Sequence, residues 1–233
     1  MTDAILELRG IRAAYERIEV LHGVDLALRA GTVMAVLGPN GAGKTTMLSV
    51  IAGLLPATEG DVLLAGRRVN GARADDLARR GLCLVPEGKG VFPNLTVREN
   101  LMMATHTGRS RAEVEEAAFS RFPALAARRT QLAGTLSGGE QQMLAMARGL
   151  ATDPAVLLLD ELSMGLAPII VEALYEKVAV IAREGVSILV VEQFAKLVLD
   201  VADEAAIMVQ GRVAAVGPPH ELAGELSSAY LGG

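Results

Sequence analysis

The chain has 233 residues, 51% of them apolar, with 22 Lys+Arg against 27 Asp+Glu and a formal net charge of −5. A chain this apolar and this weakly charged can bury a core, which excludes wholesale disorder, and its acidic balance leaves no electrostatic footprint for nucleic acid. The longest aliphatic stretches, such as Ala155–Leu159 and Ile188–Val191, fall far short of the ~18 residues of a membrane span, and Met1-Thr-Asp-Ala-Ile-Leu-Glu7 carries acids where an export signal needs bases, so a cytosolic chain is expected.

In chain order, residues 1–30 read as an antiparallel β unit at an edge. Val33–Leu37 is a short apolar run ending at glycine, and Asp61–Ala65, Leu82–Val85, Ala155–Leu159, Ser187–Val191 and Ala205–Val209 read likewise. Runs this apolar suit strands buried on both faces, as in a parallel sheet, and their alternation with helical patterns argues for an α/β core over residues 31–90 and 151–233. The stretch from about 91 to 150 holds no convincing strand. Thr96-Val-Arg-Glu99 and Ser110-Arg-Ala-Glu113 both match the capping box, in which hydroxyl and carboxylate satisfy free helix-end amides reciprocally. It reads as an inserted helical lobe with Phe119 and Phe122 in its core. Pro168 suits a first helical position, and Val171, Leu174, Tyr175, Val178 and Ile181 recur after it as one apolar face. Gln210-Gly211-Arg212 turns a closing hairpin with Val213–Val216. The single cysteine, Cys83, lies in an apolar strand and reads as a buried structural thiol. His22, His106 and His220 show no ligand spacing.

Three motifs carry chemistry. Gly38-Pro39-Asn40-Gly41-Ala42-Gly43-Lys44-Thr45 fits G-x-x-x-x-G-K-[ST] after an apolar strand. Its glycines let several backbone amides converge on phosphate oxygens, and a helix from Lys44 to Ile51 points its positive end at them. Lys44 is expected at the β- and γ-phosphates and Thr45, followed by Thr46, at Mg²⁺. Val156-Leu-Leu-Leu-Asp160-Glu161 places two carboxylates at the C-terminal edge of a buried strand, where open α/β sheets bind ligands. Asp160 suits Mg²⁺, and Glu161 suits general-base activation of water. Leu136-Ser137-Gly138-Gly139-Glu140-Gln141 opens a helix running to about Leu150 and reads as a second anion site, which a single ordinary nucleotide site does not need.

These motifs in this order resemble the nucleotide-binding domain of ATP-binding cassette (ABC) transporters, and the resemblance covers nearly the whole chain as a single domain. It implies that Ser137–Glu140 face an ATP held by the phosphate loop of a partner subunit, so that two ATP molecules are sandwiched in a dimer. It places Tyr15 as the aromatic stacked on adenine and Ser163–Leu166 as a loop linking the two sites. It also implies two transmembrane permease subunits docked near Gly88–Met103, an extracytoplasmic solute-binding protein, and a peripheral position at the cytoplasmic face of the cell membrane. Met102 and Met103 suit lobe packing first and docking second.

The sequence departs from the family pattern at three positions. Glu87 stands where most members have a Gln that touches Mg²⁺. Gln193 stands where most have a His at the γ-phosphate; it can still donate a hydrogen bond but cannot become charged. Leu162 replaces a usual proline. With Glu87-Gly-Lys-Gly-Val-Phe-Pro-Asn-Leu-Thr-Val97, Gly165-Leu-Ala-Pro-Ile-Ile170 and Tyr230-Leu-Gly-Gly233, the first two departures resemble the LivF-type ATPases of branched-chain amino-acid importers; urea and amide importer ATPases share much of the pattern. The working partner is then a second copy or a sister ATPase. Soluble ABC ATPases of translation or DNA repair carry paired cassettes or long coiled coils and basic surfaces, which this acidic single cassette lacks.

Overall fold

The computed structural model describes residues 4–88, 90–193 and 195–222; Lys89, the His106 side chain and the ending Tyr230–Gly233 lie outside the described set. Strands β1 (Ala4–Tyr15) and β2 (Ile18–Arg29) form a long antiparallel hairpin. Then come β3 (Val33–Leu37), α1 (Lys44–Ile51), β4 (Glu59–Leu64), β5 (Arg67–Arg68), α2 (Ala74–Arg79) and β6 (Leu82–Val85). A helical stretch follows with α3 (Val97–Met102), α4 (Arg111–Arg121), α5 (Pro123–Ala126) and α6 (Gly138–Leu150). The chain closes with β7 (Val156–Asp160), α7 (Pro168–Arg183), β8 (Ser187–Glu192), α8 (Ala195–Leu199), β9 (Glu204–Val209) and β10 (Arg212–Gly217).

The described strands make two sheets, one in the order β2-β1-β4-β5 and one in the order β10-β9-β3-β8-β7-β6. The second is parallel except for the β9–β10 hairpin. The strand expected at Asp61–Ala65 does not join it. As β4 it pairs antiparallel with β1, Leu6 opposite Leu64 and Leu8 opposite Val62. The reason lies in its burial: Val62 and Leu64 are buried while Asp61 and Leu63 are only half-buried. That is the alternation of a strand with one covered face, whereas β3 and β7 are buried at every position.

Strand alternation divides the core in two. Val33, Ala35, Leu37, Leu157, Leu159, Ile188 and Val190 pack against α6, α7 and the helical stretch. Met34, Val36, Leu158, Leu189 and Val191 pack against α1 and the antiparallel sheet. In α7, Pro168 opens the helix and all five residues of the expected apolar face are buried. Both expected capping boxes form, at Thr96/Glu99 and Ser110/Glu113. Phe122 is buried; Phe119 is partly buried with the Arg129 guanidinium 5.7 Å over its ring. Leu162 is fully buried, a core side chain where a proline would have contributed only a fixed φ. The parallel strands deliver Leu37, Val85, Asp160 and Glu192 to one edge, which is where the motifs gather.

Burial pushes the Cys83 thiol up to about 11, against the Arg148 charge and a Thr152 hydrogen bond that favour the thiolate. Since the thiolate is the nucleophile, iodoacetamide at pH 8 should alkylate native Cys83 far more slowly than the urea-unfolded chain. Equal rates would contradict this burial.

Candidate active site

The phosphate loop follows β3 because the backbone there must turn sharply in a space without side chains. A Cβ on Gly38 would lie 2.1 Å from the Met208 carbonyl oxygen, and Gly41 and Gly43 hold φ of +79° and +100°, conformations that L side chains rarely adopt. Gly43 is the N-cap of α1 and has no side chain to engage the first amides, which leaves them without a side-chain acceptor, as an anion site at a helix start requires. Lys44 is only 4% exposed. Its Nζ donates to the carbonyls of Gly38 at 2.9 Å and Pro39 at 3.2 Å and sits 3.5 Å from Glu161 Oε1. The ammonium is thus held inside the loop it serves.

Asn40, Gly41, Gly43, Lys44, Thr45 and Thr46 line a cleft of ≈360 Å³ together with Glu87, Glu161, Val20 and Met164. At its floor the Thr45 hydroxyl donates to Asp160 Oδ1 at 3.3 Å. Burial, with smaller contributions from Glu161 and Glu87, pushes the Asp160 carboxyl up to about 6; the Thr45 hydrogen bond and Lys44 oppose the shift. The Thr45 hydroxyl and the Asp160 carboxyl, with Glu87 and Glu161 on the cleft wall, form an all-oxygen donor set, which fits Mg²⁺. Among the described residues no group of three or more His, Cys, Asp or Glu could hold an ion by itself. Because the carboxyl is raised when folded, its favourable contribution is present below its unfolded pKa and lost as pH rises through about 6. Asp160→Asn should therefore raise the melting temperature of nucleotide-free protein at pH 8 and lose that advantage near pH 4. An equal shift at both pH values would contradict this.

Glu161 has φ of +45°, a conformation costing a non-glycine residue roughly 1–3 kcal/mol that persists only where the surroundings impose it. Here its amide donates to the Val191 carbonyl at 3.0 Å and its carboxylate pairs with Lys44. The loop geometry thereby turns the carboxylate into the cleft, where it can accept a proton from water.

The other expected residues lie apart from this cleft. Tyr15 ends β1 at 48% exposure; the hairpin residue that lines the cleft is Val20. Gln193 follows β8, partly buried, and is not among the cleft-lining residues. Ser137, Gly138, Gly139 and Glu140 open α6 and do not line the cleft. Ser137 and Glu140 form a third capping box, with the Ser137 hydroxyl 2.8 Å from Glu140 Oε2. Glu140 also pairs with Arg128 at 2.6 Å. Against burial, the Ser137 amide and hydroxyl and the Arg128 charge hold its carboxyl below the ordinary value. The two glycines have a packing reason: a Cβ on Gly138 would stand 3.0 Å from Leu166 Cδ2, and one on Gly139 2.4 Å from Ile170 Cγ2. Gly139→Ala should cost about 1–3 kcal/mol by overpacking, read as a lower urea midpoint; an unchanged midpoint would contradict that contact.

The family model for the ABC transporter matches residues 21–163, from the β1–β2 hairpin through the phosphate loop, the α6 glycines and the acidic strand end. The chain belongs to the ABC transporter family. It is an ATP-hydrolysing cassette with the mixed α/β fold of that family. The high-affinity branched-chain amino acid transport ATP-binding protein BraG of Pseudomonas aeruginosa is 38% identical, over 98% of this chain and 100% of that protein. The probable branched-chain amino acid transport ATP-binding protein LivF of Archaeoglobus fulgidus is also 38% identical, over 91% of each chain. The crystal structure of the ADP conformation of MJ1267, an ATP-binding cassette of an ABC transporter, superposes with a TM-score of 0.89 at 26% identity, with full coverage of both chains. No described helix is long and apolar enough to cross a membrane.

Sequence reasoning missed the Lys44–Glu161 pair, the left-handed Glu161 and the cleft positions of Val20 and Met164. It also missed a buried carboxylate, Glu192. Its position directly after the apolar run Ile188–Val191 was the one available signal.

Proposed function

We propose that the chain is the motor subunit of an importer of branched-chain amino acids, with ATP hydrolysis driving two separate permease subunits. The observation that carries the motor reading is one cleft lined by Lys44, Thr45 and Glu161, with the Thr45 hydroxyl bonded to Asp160; the 38% identical relatives along nearly the full chain support the solute. The loop amides and Lys44 bind the phosphates, and Thr46 closes the cleft beside them. Thr45, Asp160 and Glu87 would hold Mg²⁺, which when bound neutralises phosphate charge. Glu161 accepts the proton of the attacking water, and Gln193 donates an amide hydrogen bond to the γ-phosphate from the end of β8. Ser137–Glu140 of one subunit face the ATP bound to its partner, a second copy or a sister ATPase, and Tyr15 stacks on adenine.

The permeases dock in an apolar cleft of ≈650 Å³ whose lining includes Cys83, Phe92, Met103 and Arg148. Phe92 and Met103 stand 46% and 49% exposed at its mouth, and the Arg148 guanidinium lies 5.1 Å over the Phe92 ring. Docking there puts the cassette on the cytoplasmic face of the membrane. Purifying the chain from membranes with its permeases tests the reading: ATP turnover should rise with a leucine-loaded solute-binding protein. Stimulation by a urea- or amide-loaded binding protein and none by leucine would reassign the solute. Absence of any membrane partner would overturn the motor reading.

A further inference from the structure

Glu192 ends β8 at 1% exposure, where an unpaired carboxylate would be costly. Three donors meet it. Oε1 accepts the Ser163 amide at 2.9 Å and the Tyr175 hydroxyl at 2.5 Å, and Oε2 accepts the Ser163 hydroxyl at 2.7 Å. Burial pushes the carboxyl up, while these donors favour its ionised form. The network ties three elements at one point: β8, the loop leaving β7, and the second turn of α7.

That loop is the one that carries Glu161. Ser163 is two residues beyond Glu161, whose amide bonds to Val191, the neighbour of Glu192. Leu162 between them is fully buried. The left-handed Glu161 backbone is thus tied to the end of β8 on both sides, at its own amide through Val191 and two residues on through Ser163 and Glu192. Farther on, Leu166 of the same loop and Ile170 in the first turn of α7 stand against Gly138 and Gly139.

We propose that Glu192 is a positioning residue for ATP hydrolysis: through Ser163 it holds the loop that aims the Glu161 carboxylate at water. The proposal rests on the reading of Glu161 as the group that accepts the proton of that water. Misplacing a reacting group by about 1 Å costs on the order of 10² in rate. Nucleotide binding, carried by the phosphate loop, does not depend on the network.

The test is steady-state ATP hydrolysis by the full-length chain, with Glu161→Gln run in parallel. Glu192→Ala should lower kcat by about 10- to 100-fold with KM for ATP within about twofold of the parent. Glu192→Gln should restore most of kcat. Its amide keeps an acceptor for the Ser163 amide and Tyr175, and the Ser163 hydroxyl can rotate to accept from its NH₂. Adding Ser163→Ala to Glu192→Ala should cost little more, since both act through one contact. If Glu192→Ala does not fold, Ser163→Ala with Tyr175→Phe carries the same expectation. The proposal is overturned if the folded Ala variant or that pair keeps kcat, if KM rises in step with the loss, or if Gln is as impaired as Ala. If Glu161→Gln itself turns over normally, the Glu161 reading fails instead, whatever the Glu192 variants do.

Discussion

Lys44→Ala is expected to lower ATP turnover by on the order of 10²–10³, the cost of losing one preorganised donor at developing oxyanion charge. The ammonium is buried within the phosphate loop, fixed by two carbonyls of that loop, and paired with Glu161. Alanine removes the positive charge at the β- and γ-phosphates and leaves the Glu161 carboxylate in the cleft without its counter-ion. Nucleotide affinity should fall along with kcat, because the same charge serves ground state and transition state. The glycine turns that shape the loop do not depend on the lysine, so circular dichroism should be unchanged. A folded Lys44→Ala protein hydrolysing ATP near the parent rate would remove the phosphate-loop assignment.

Glu161→Gln separates binding from chemistry. The amide is nearly isosteric, can still receive a hydrogen bond from Lys44, and keeps the backbone pairing with Val191 that holds the left-handed turn. What it cannot do is take a proton, a contribution of roughly 10²–10⁴ in rate. Hydrolysis should stop while ATP still binds, and the ATP-bound dimer should accumulate. In gel filtration with ATP the variant should elute as a dimer and without ATP as a monomer. A monomer in both would count against an ATP shared between subunits.

The parts of this site that are local in sequence were legible in advance. The tight glycine loop at Gly38, Gly41 and Gly43 and the placement of Lys44 beside it were readable from spacing alone, because such a loop is built from consecutive residues. The apolar face of α7 and the capping boxes at Thr96 and Ser110 were readable for the same reason: each involves residues three or four apart. What escaped depends on pairing between distant segments. The place of β4 beside β1 needed knowledge of which strand it meets. The Lys44–Glu161 pair joins residues on different strands' loops, and the left-handed backbone of Glu161 follows from its hydrogen bond to Val191. Leu162 was noticed as a departure without a reason; its reason is burial, which appears only when β7 and α7 are packed. Ser137 is the instructive case. Its role as a helix cap and the role proposed for it toward a partner's ATP would draw on the same hydroxyl and the same amides, and one chain displays only the first.

The central claim is that the two glycine clusters, which do not share a cleft within one chain, meet across two chains around ATP. Phosphate release measured against protein concentration tests it most directly. The account predicts that activity per subunit rises with concentration as dimers form, and that Ser137→Arg abolishes the rise while leaving ATP binding intact. Activity per subunit that is constant with concentration, in protein that stays monomeric throughout, would contradict it.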